Sequence, residues 1–463
     1  MTSQVQHQLA ADAIDVTAEL QRLSALVGDM LADANRMGAS AAEVAVSRDV
    51  GLQVQVRGGD VETVEFNRDG GFGITVYFGQ RKASVSSTDT RSEALQLAVR
   101  KACEIARHTA DDPFAGLPDA DRLATAFPDL SLDHPYGMTA DQAVELALRC
   151  EAAGLAQHPQ VKKTDSVSFS SHRGVRFYGN SLGFMAGVPS TRHSLSATLI
   201  AEDASGMQRD WWYTVARDPA DLLGAEEVGR KAADRAARRL GARRMRTGAL
   251  PVVLVPEVAR GFLGHLLSAI RGGNLYRKAS FLCDSLGKPV LPDWLSLCEQ
   301  PHVPKALGSG AFDDEGVATY EHDIVRDGTL KNYILSSYSA RRLGMHSTGN
   351  AGGVHSIAVA SRQALRSFDE LVRELNEGVV ITSVMGQGVN VVTGDYSRGA
   401  SGFYVANGEI QYPVEEITIA GQLPQLLHGI RAMADDVEPQ SVIWAGSLLV
   451  DGFTIASQGD EPE

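Results

Sequence analysis

PVVLVPEVARGFLGHLLSAI, residues 251–270, carries the reading of the fold. PVVLV is a short β-branched apolar run of the kind buried inside a sheet. Pro256 fixes φ and needs no backbone N–H, which suits the first turn of a helix. Beyond it Val258, Phe262, Leu263, Leu266, Leu267 and Ile270 recur at helical spacing. The expectation is a buried strand passing directly into a helix, with His265 in its middle. Such a unit is a rigid support for metal ligands, so the question becomes whether ligands are there.

Outward from this unit, the C-terminal half alternates apolar runs with Gly-rich turns: VATYEHDIV (317–325), TLKNYILSS (329–337), SIAVAS (356–361), GVVITSV (378–384), GVNVVTGD (388–395), GFYVANGE (402–409), EITIAG (416–421) and SLLVDGFTIAS (447–457). Helices are expected near Phe368 to Asn376 and Leu423 to Ala434. The pattern predicts a strand-rich curved sheet or barrel-like domain over residues 244–463, not a parallel βαβ array.

Residues 1–243 read as an N-terminal α+β domain. Met1 to about Ala11 resembles a tail, and Ile14, Leu20, Leu23, Val27, Leu31 and Met37 mark an amphipathic helix ending at Gly38. From Ala42 to Ser87 the period is two, with turns expected at Gly58-Gly59, Asp69-Gly70-Gly71 and Gly79-Gln80, an antiparallel meander. A helix near 91–109 closes this opening α+β unit. Residues 111–122 have the Pro, Gly and Asp content of a loop. A helix over 139–157, a second β-rich stretch and an Ala/Arg-rich helix over 221–240 follow. GARRMRTG, 241–248, reads as the hinge between the domains.

A length of 463 residues suits two or three domains, and 44% apolar residues is ordinary for a globular protein. The net charge of -14 disfavours nucleic acid and acidic membranes as partners. Cys103, Cys150, Cys283 and Cys298 are scattered, the pattern of reduced thiols. Without an apolar N-terminal run or a stretch of about 18 apolar residues, a cytoplasmic location is expected.

GNSLG, 179–183, matches the G-x-S-x-G elbow, but the strand-like FMAGV that follows makes it a hairpin turn. GQGVNVVTG, 386–394, lacks the Lys and the following helix of a phosphate loop. FDDEG, 312–316, offers Asp313, Asp314 and Glu315 as a group for a cation or an amine, or simply an acidic turn. No His-Glu dipeptide occurs, so no H-E-x-x-H helix exists.

Several long stretches resemble the PmbA (TldE) branch of the TldD/PmbA family. Among them are VETVEFNRDGGFGITVYFGQRKASVSSTD (61–89), GVRFYGNSLGFMAGVPSTRHSLSATLIAED (174–203), GFLGHLLSAIRGGNLYRKASFLCDSLG (261–287), STGNAGG (347–353) and MGQGVNVVTGDYSRGASGFYVANGEIQYPVEEITIAG (385–421). The family's TldD branch carries a zinc-peptidase H-E-x-x-x-H signature and a late cysteine ligand. Laid on this chain, those positions hold Arg260, Gly261, His265 and Ala445. A guanidinium repels a divalent ion and Gly261 can neither ligate nor take a proton, so no metal is expected in this chain.

The resemblance implies a non-catalytic subunit that joins a TldD-type metallopeptidase in a heterodimer cleaving unstructured peptides, with zinc in the partner. When the partner is absent, a homodimer through the same surface is an open alternative. Asp313, Asp314, Glu315, Asn350, Gly386, Gly388 and Asp395 are the residues expected to wall the chamber or meet the partner. Two rival readings stand beside it: a metallopeptidase active in its own right, and a non-enzymatic modulator of DNA gyrase or its inhibitors.

Overall fold

The computed structural model describes residues 14–457; the N-terminal tail expected from the sequence lies outside them. In chain order the N-terminal elements are α1 (Val16–Arg36), β1 (Ala41–Arg57), β2 (Asp60–Phe78), β3 (Arg81–Ser87), α2 (Ser92–Ala106), α3 (Ala140–Gln157), β4 (Val161–Asn180), β5 (Met185–Asp203), β6 (Gly206–Ala216) and α4 (Ala225–Arg238). The strands form one antiparallel sheet in the order β3-β2-β1-β4-β5-β6. The expected opening unit is therefore half of a larger sheet, continued by β4 to β6.

Strand parity explains the layering. Val44, Val46, Leu52, Val54 and Val56 of β1 are all even-numbered and all buried, so they line one face. Val44 and Val46 pack with α1 and α2 into one core, and Leu52, Val54 and Val56 with α3 and α4 into another. Four helices thus cover one face, and the C-terminal half packs against part of the other. Asp69-Gly70-Gly71, expected as a turn, lies inside β2. A Cβ on Gly70 would stand 3.0 Å from the Ser47 carbonyl oxygen, and one on Gly71 2.9 Å from that of Ser87, so these glycines permit close strand approach.

The C-terminal elements are β7 (Gly248–Leu254), α5 (Pro256–Ala269), α6 (Gly272–Tyr276), β8 (Leu295–Glu299), β9 (His322–Arg326), β10 (Thr329–Leu330), α7 (Ser337–Leu343), β11 (Ile357–Ser361), α8 (Phe368–Leu375), β12 (Gly378–Met385), β13 (Val389–Asn390), β14 (Asp395–Ala406), β15 (Glu409–Gln422), α9 (Leu423–His428), β16 (Ile430–Met433), β17 (Ile443–Trp444) and β18 (Leu448–Ser457). β12, β7, β18, β15 and β14 pair in sequence, and β14 pairs back to β12, which closes a five-stranded barrel. The expected barrel-like domain is present, and closure leaves it no open edge. A separate sheet runs β10-β9-β8-β11-β17.

Besides the Asp69-Gly70-Gly71 turn, VATYEHDIV is a strand only from His322 and GVNVVTGD only at Val389–Asn390, before Asp395 begins β14, and two further local expectations fail for identifiable reasons. TLKNYILSS is a strand only at Thr329–Leu330. Its end becomes the N-terminus of α7, where Ser336 and Ser339 exchange hydrogen bonds between side chain and backbone N–H as a capping box. The helix expected to reach Ala434 stops at His428, because Ile430–Met433 pairs with β18.

The opening unit folds as its sequence implies. β7 lies in the barrel wall, and Pro256 occupies the first turn of α5. Phe262 is buried with its ring 6.1 Å from that of Tyr396 on β14 and 6.2 Å from that of Phe453 on β18. That aromatic contact anchors the helix to the barrel.

Candidate functional site

Arg260, Gly261 and His265, expected from the resemblance to stand at the zinc-signature positions, lie on α5, and Ala445, expected at the late cysteine position, lies just after β17. Arg260 turns away from the barrel and donates from Nη1 to the Tyr213 hydroxyl of β6 at 2.8 Å. Gly261 is exposed, and a Cβ built on it would meet nothing within 4 Å. His265 packs edge-on to Tyr396 with centroids 5.8 Å apart, and its Nε2 is buried without a hydrogen-bond partner. Burial, reinforced by the charge of Arg398, lowers the His265 pKa and keeps the ring neutral. Ala445 is buried and carries no donor atom.

A zinc ion does not fit this set. The set holds one imidazole where three ligands are needed, and the charge acting on it, that of Arg398, is positive. Among the described residues no group of three or more His, Cys, Asp or Glu side chains is placed to hold a metal.

The acidic turn and the STGNAGG loop meet each other against the face of the N-terminal sheet opposite its helices. Asp313 is buried and accepts from the backbone N–H groups of Glu315, Val317 and Ala351 at 2.9, 3.0 and 2.9 Å. Burial, opposed by those three bonds and aided by Glu315, pushes its pKa up to about 7. Asp314 pairs with Arg176 of β4 at 2.6 Å. Glu315 accepts from the N–H of Ser337, the first residue of α7. Close by, Glu43 of β1 accepts from the hydroxyls of Tyr77 and Tyr178, both at 2.8 Å, and burial, strengthened by Glu315, raises its pKa.

Asn350 is 4% exposed and donates to both oxygens of Glu299, which is 1% exposed, at 2.9 and 3.0 Å. Glu299 also accepts from the backbone N–H and Nδ1 of His355. His322 Nε2 stands 3.4 Å from it, within ion-pair distance but without hydrogen-bond geometry. Burial alone would raise the pKa of Glu299, but the His355 and Asn350 bonds outweigh it and hold the carboxyl below its usual range.

Asp313, Asp314, Glu315 and Asn350 are thus brought together, joined directly by the bond from Ala351 N–H to Asp313. Gly386, Gly388 and Asp395 belong instead to the barrel hairpin formed by β12, β13 and β14. A Cβ on Gly388 would fall 1.8 Å from the Ser397 carbonyl oxygen, so glycine there serves strand approach. Asp395 is exposed and accepts from Thr393 and Gln422.

Sequence reasoning missed Glu43, Tyr178, Arg176, Glu299, His322 and His355. Glu43 and Glu299 sit in strands of period two, where a buried carboxylate looks like any other polar position. Chemically, the interface holds saturated carboxylates and neutral hydroxyls, which position loops. It presents no nucleophile beside a base.

Three family models match the chain: PmbA/TldA metallopeptidase domain 1 over residues 42–106, the central domain over 133–240 and the C-terminal domain over 247–457. Metalloprotease PmbA of Escherichia coli O157:H7 is 50% identical over 417 residues, covering 90% of this chain and 92% of that protein. A crystal structure from Bacteroides thetaiotaomicron, described as a candidate modulator of DNA gyrase, has a TM-score of 0.87 and 26% identity, covering 93% of this chain and 98% of that one. TldE from Thermococcus kodakarensis shares the fold with a TM-score of 0.82 at 18% identity, covering 93% of this chain and all of that one.

Proposed function

The chain belongs to the PmbA branch of the PmbA/TldD metallopeptidase family, and from that premise we propose that it is the non-catalytic subunit of a two-subunit peptidase. A TldD-type partner supplies the zinc and its base, and this chain completes a chamber for unstructured peptides. The observation that carries the reading is α5: its scaffold is kept while Arg260, Gly261 and Ala445 offer no ligand and Arg260 is committed to Tyr213.

The relatives named metalloproteases support the family's chemistry, and the lost ligand set supports its location in the partner. No helix among the described residues is long and apolar enough to cross a membrane. A cytoplasmic peptidase pair is the setting proposed.

The test is metal content and peptide cleavage of the purified chain, alone and mixed with a TldD-type subunit. The expected result is less than about a tenth of an equivalent of metal in the chain alone, with cleavage only in the mixture, because a three-ligand site retains its ion through purification. About one equivalent of metal in the lone chain, lost on His265→Ala, would overturn the proposal and make the chain a peptidase by itself.

A further inference from the structure

Two cavities, of 520 Å³ and 300 Å³, lie where β4 and β5 face the C-terminal domain, and they share Leu132, Val188, Ala311 and Phe312 in their walls. The larger is lined on its open side by Phe127, Met185 and Pro189. Phe127 is 53% exposed, with its ring edge-on to Phe312 at 5.9 Å. An exposed phenyl ring packed on a half-buried one beside a cavity marks a place where a ligand side chain removes surface from water.

The smaller cavity is polar and contains Arg217 in its wall. Its Nε, Nη1 and Nη2 donate to the carbonyl oxygens of Ala306, Thr191 and Leu307 at 3.1, 3.3 and 2.9 Å. A guanidinium has five N–H groups, so donors remain, and carbonyls do not neutralise its charge. Burial and the nearby Arg192 both disfavour that charge, and no carboxylate offsets them.

The other charged groups facing the cavity are already matched. Arg176 is paired with Asp314, His355 is held by Glu299, and the oxygens of Asp313 are taken by three backbone N–H groups. In the smaller cavity an ammonium group would therefore find no unmatched acid, whereas an anion finds Arg217; in the larger one Asp133 is paired with Arg173, and the exposed Asp129 accepts from the Ser131 N–H.

We infer that the joined cavities bind the C-terminal residue of an unstructured peptide, its carboxylate on Arg217 and its apolar side chain against Phe127, Phe312 and Val188. The identity of the ligand as a peptide rests on the function proposed above; the site assigns which end of it this chain holds. A half-buried Arg217 makes a charge-assisted contact with such a carboxylate, stronger than a neutral hydrogen bond.

The experiment is calorimetric binding to the purified chain of an acetylated, unstructured hexapeptide ending in leucine, compared with its C-terminal amide. The free acid binds about ten- to a hundredfold more tightly, the range expected for losing one charged hydrogen-bond pair. Phe127→Ala, a surface change that leaves the fold intact, weakens the acid severalfold, and Arg217→Lys weakens it while keeping the charge. Equal affinity for acid and amide, or no binding of the acid at millimolar concentration, overturns the inference. Cleavage of both peptides at one rate by the mixed subunits would also overturn it while leaving the two-subunit proposal standing. Acid-selective binding without cleavage would support this site and count against that proposal.

Discussion

The helix α5 and the interface around Glu299 and Asp313 each carry residue types found in catalytic sites, and they differ in what those residues are bound to. On α5 a potential ligand stands alone: His265 Nε2 is buried with no partner, and Gly261 presents no side chain. At the interface the two carboxylates are both present and both occupied, with Glu299 taking bonds from Asn350 and His355 and Asp313 taking three N–H bonds. A perturbed carboxylate is therefore a mark of burial first, and of chemistry only when an atom is left over to do it.

The sharpest way to break the contrast is Glu299→Ala. It strands the Asn350 amide and the His355 N–H in the interior, and a loss of about 3 kcal/mol or more is expected, read as a clear fall in melting temperature. A melting temperature that does not move would mean that the network contributes nothing.

Next in size is the pH dependence contributed by Asp313. Its folded pKa, about 7, lies above the usual value of 3.8, so between those pH values the folded chain binds more protons than the unfolded one. Stability from this group is complete below about pH 4 and falls as pH rises through 7. Asp313→Asn removes the titration. The stability of the natural chain relative to this variant should drop by on the order of 2 kcal/mol from pH 5 to pH 8. A difference that stays flat would place Asp313 as an ordinary ionised carboxylate.

Smaller effects test α5. Gly261→Ala adds a methyl that meets nothing within 4 Å in an exposed helical turn, so it should stabilise by about 0.5–1 kcal/mol in chemical denaturation. His265→Leu replaces an unpaired buried nitrogen by carbon and should change stability by less than about 1 kcal/mol, with no change in metal content. A large loss from either would show that α5 retains a duty that the contrast denies it.

Much of the fold was legible in the chain. The β7–α5 unit, the capped helix Ala140–Gln157 and the GNSLG hairpin turn between β4 and β5 all follow from period and turn chemistry. The errors fall where non-local pairing overrides local preference. Gly70 and Gly71 look like a turn but admit the Ser47 and Ser87 carbonyls, and Ile430–Met433 looks helical but pairs with β18. In the candidate site, Asp313 and Asn350 stood out as residues. Their partners did not, because Glu299 lies 51 positions from Asn350, and Arg176 lies 138 from Asp314.

By itself the sequence determined which side chains stand at Arg260, Gly261, His265 and Ala445, and no folding supplies a donor atom that Gly261 and Ala445 lack. It also determined the α+β class, because hydrophobic period is a property of the local chain. Only the tertiary structure decided that the barrel closes through β12 and β14, that Arg260 is spent on Tyr213, and that Arg217 lines a cavity without a counter-ion. Those outcomes depend on groups far apart in the chain, whose charge and bonding are settled by what packing brings beside them.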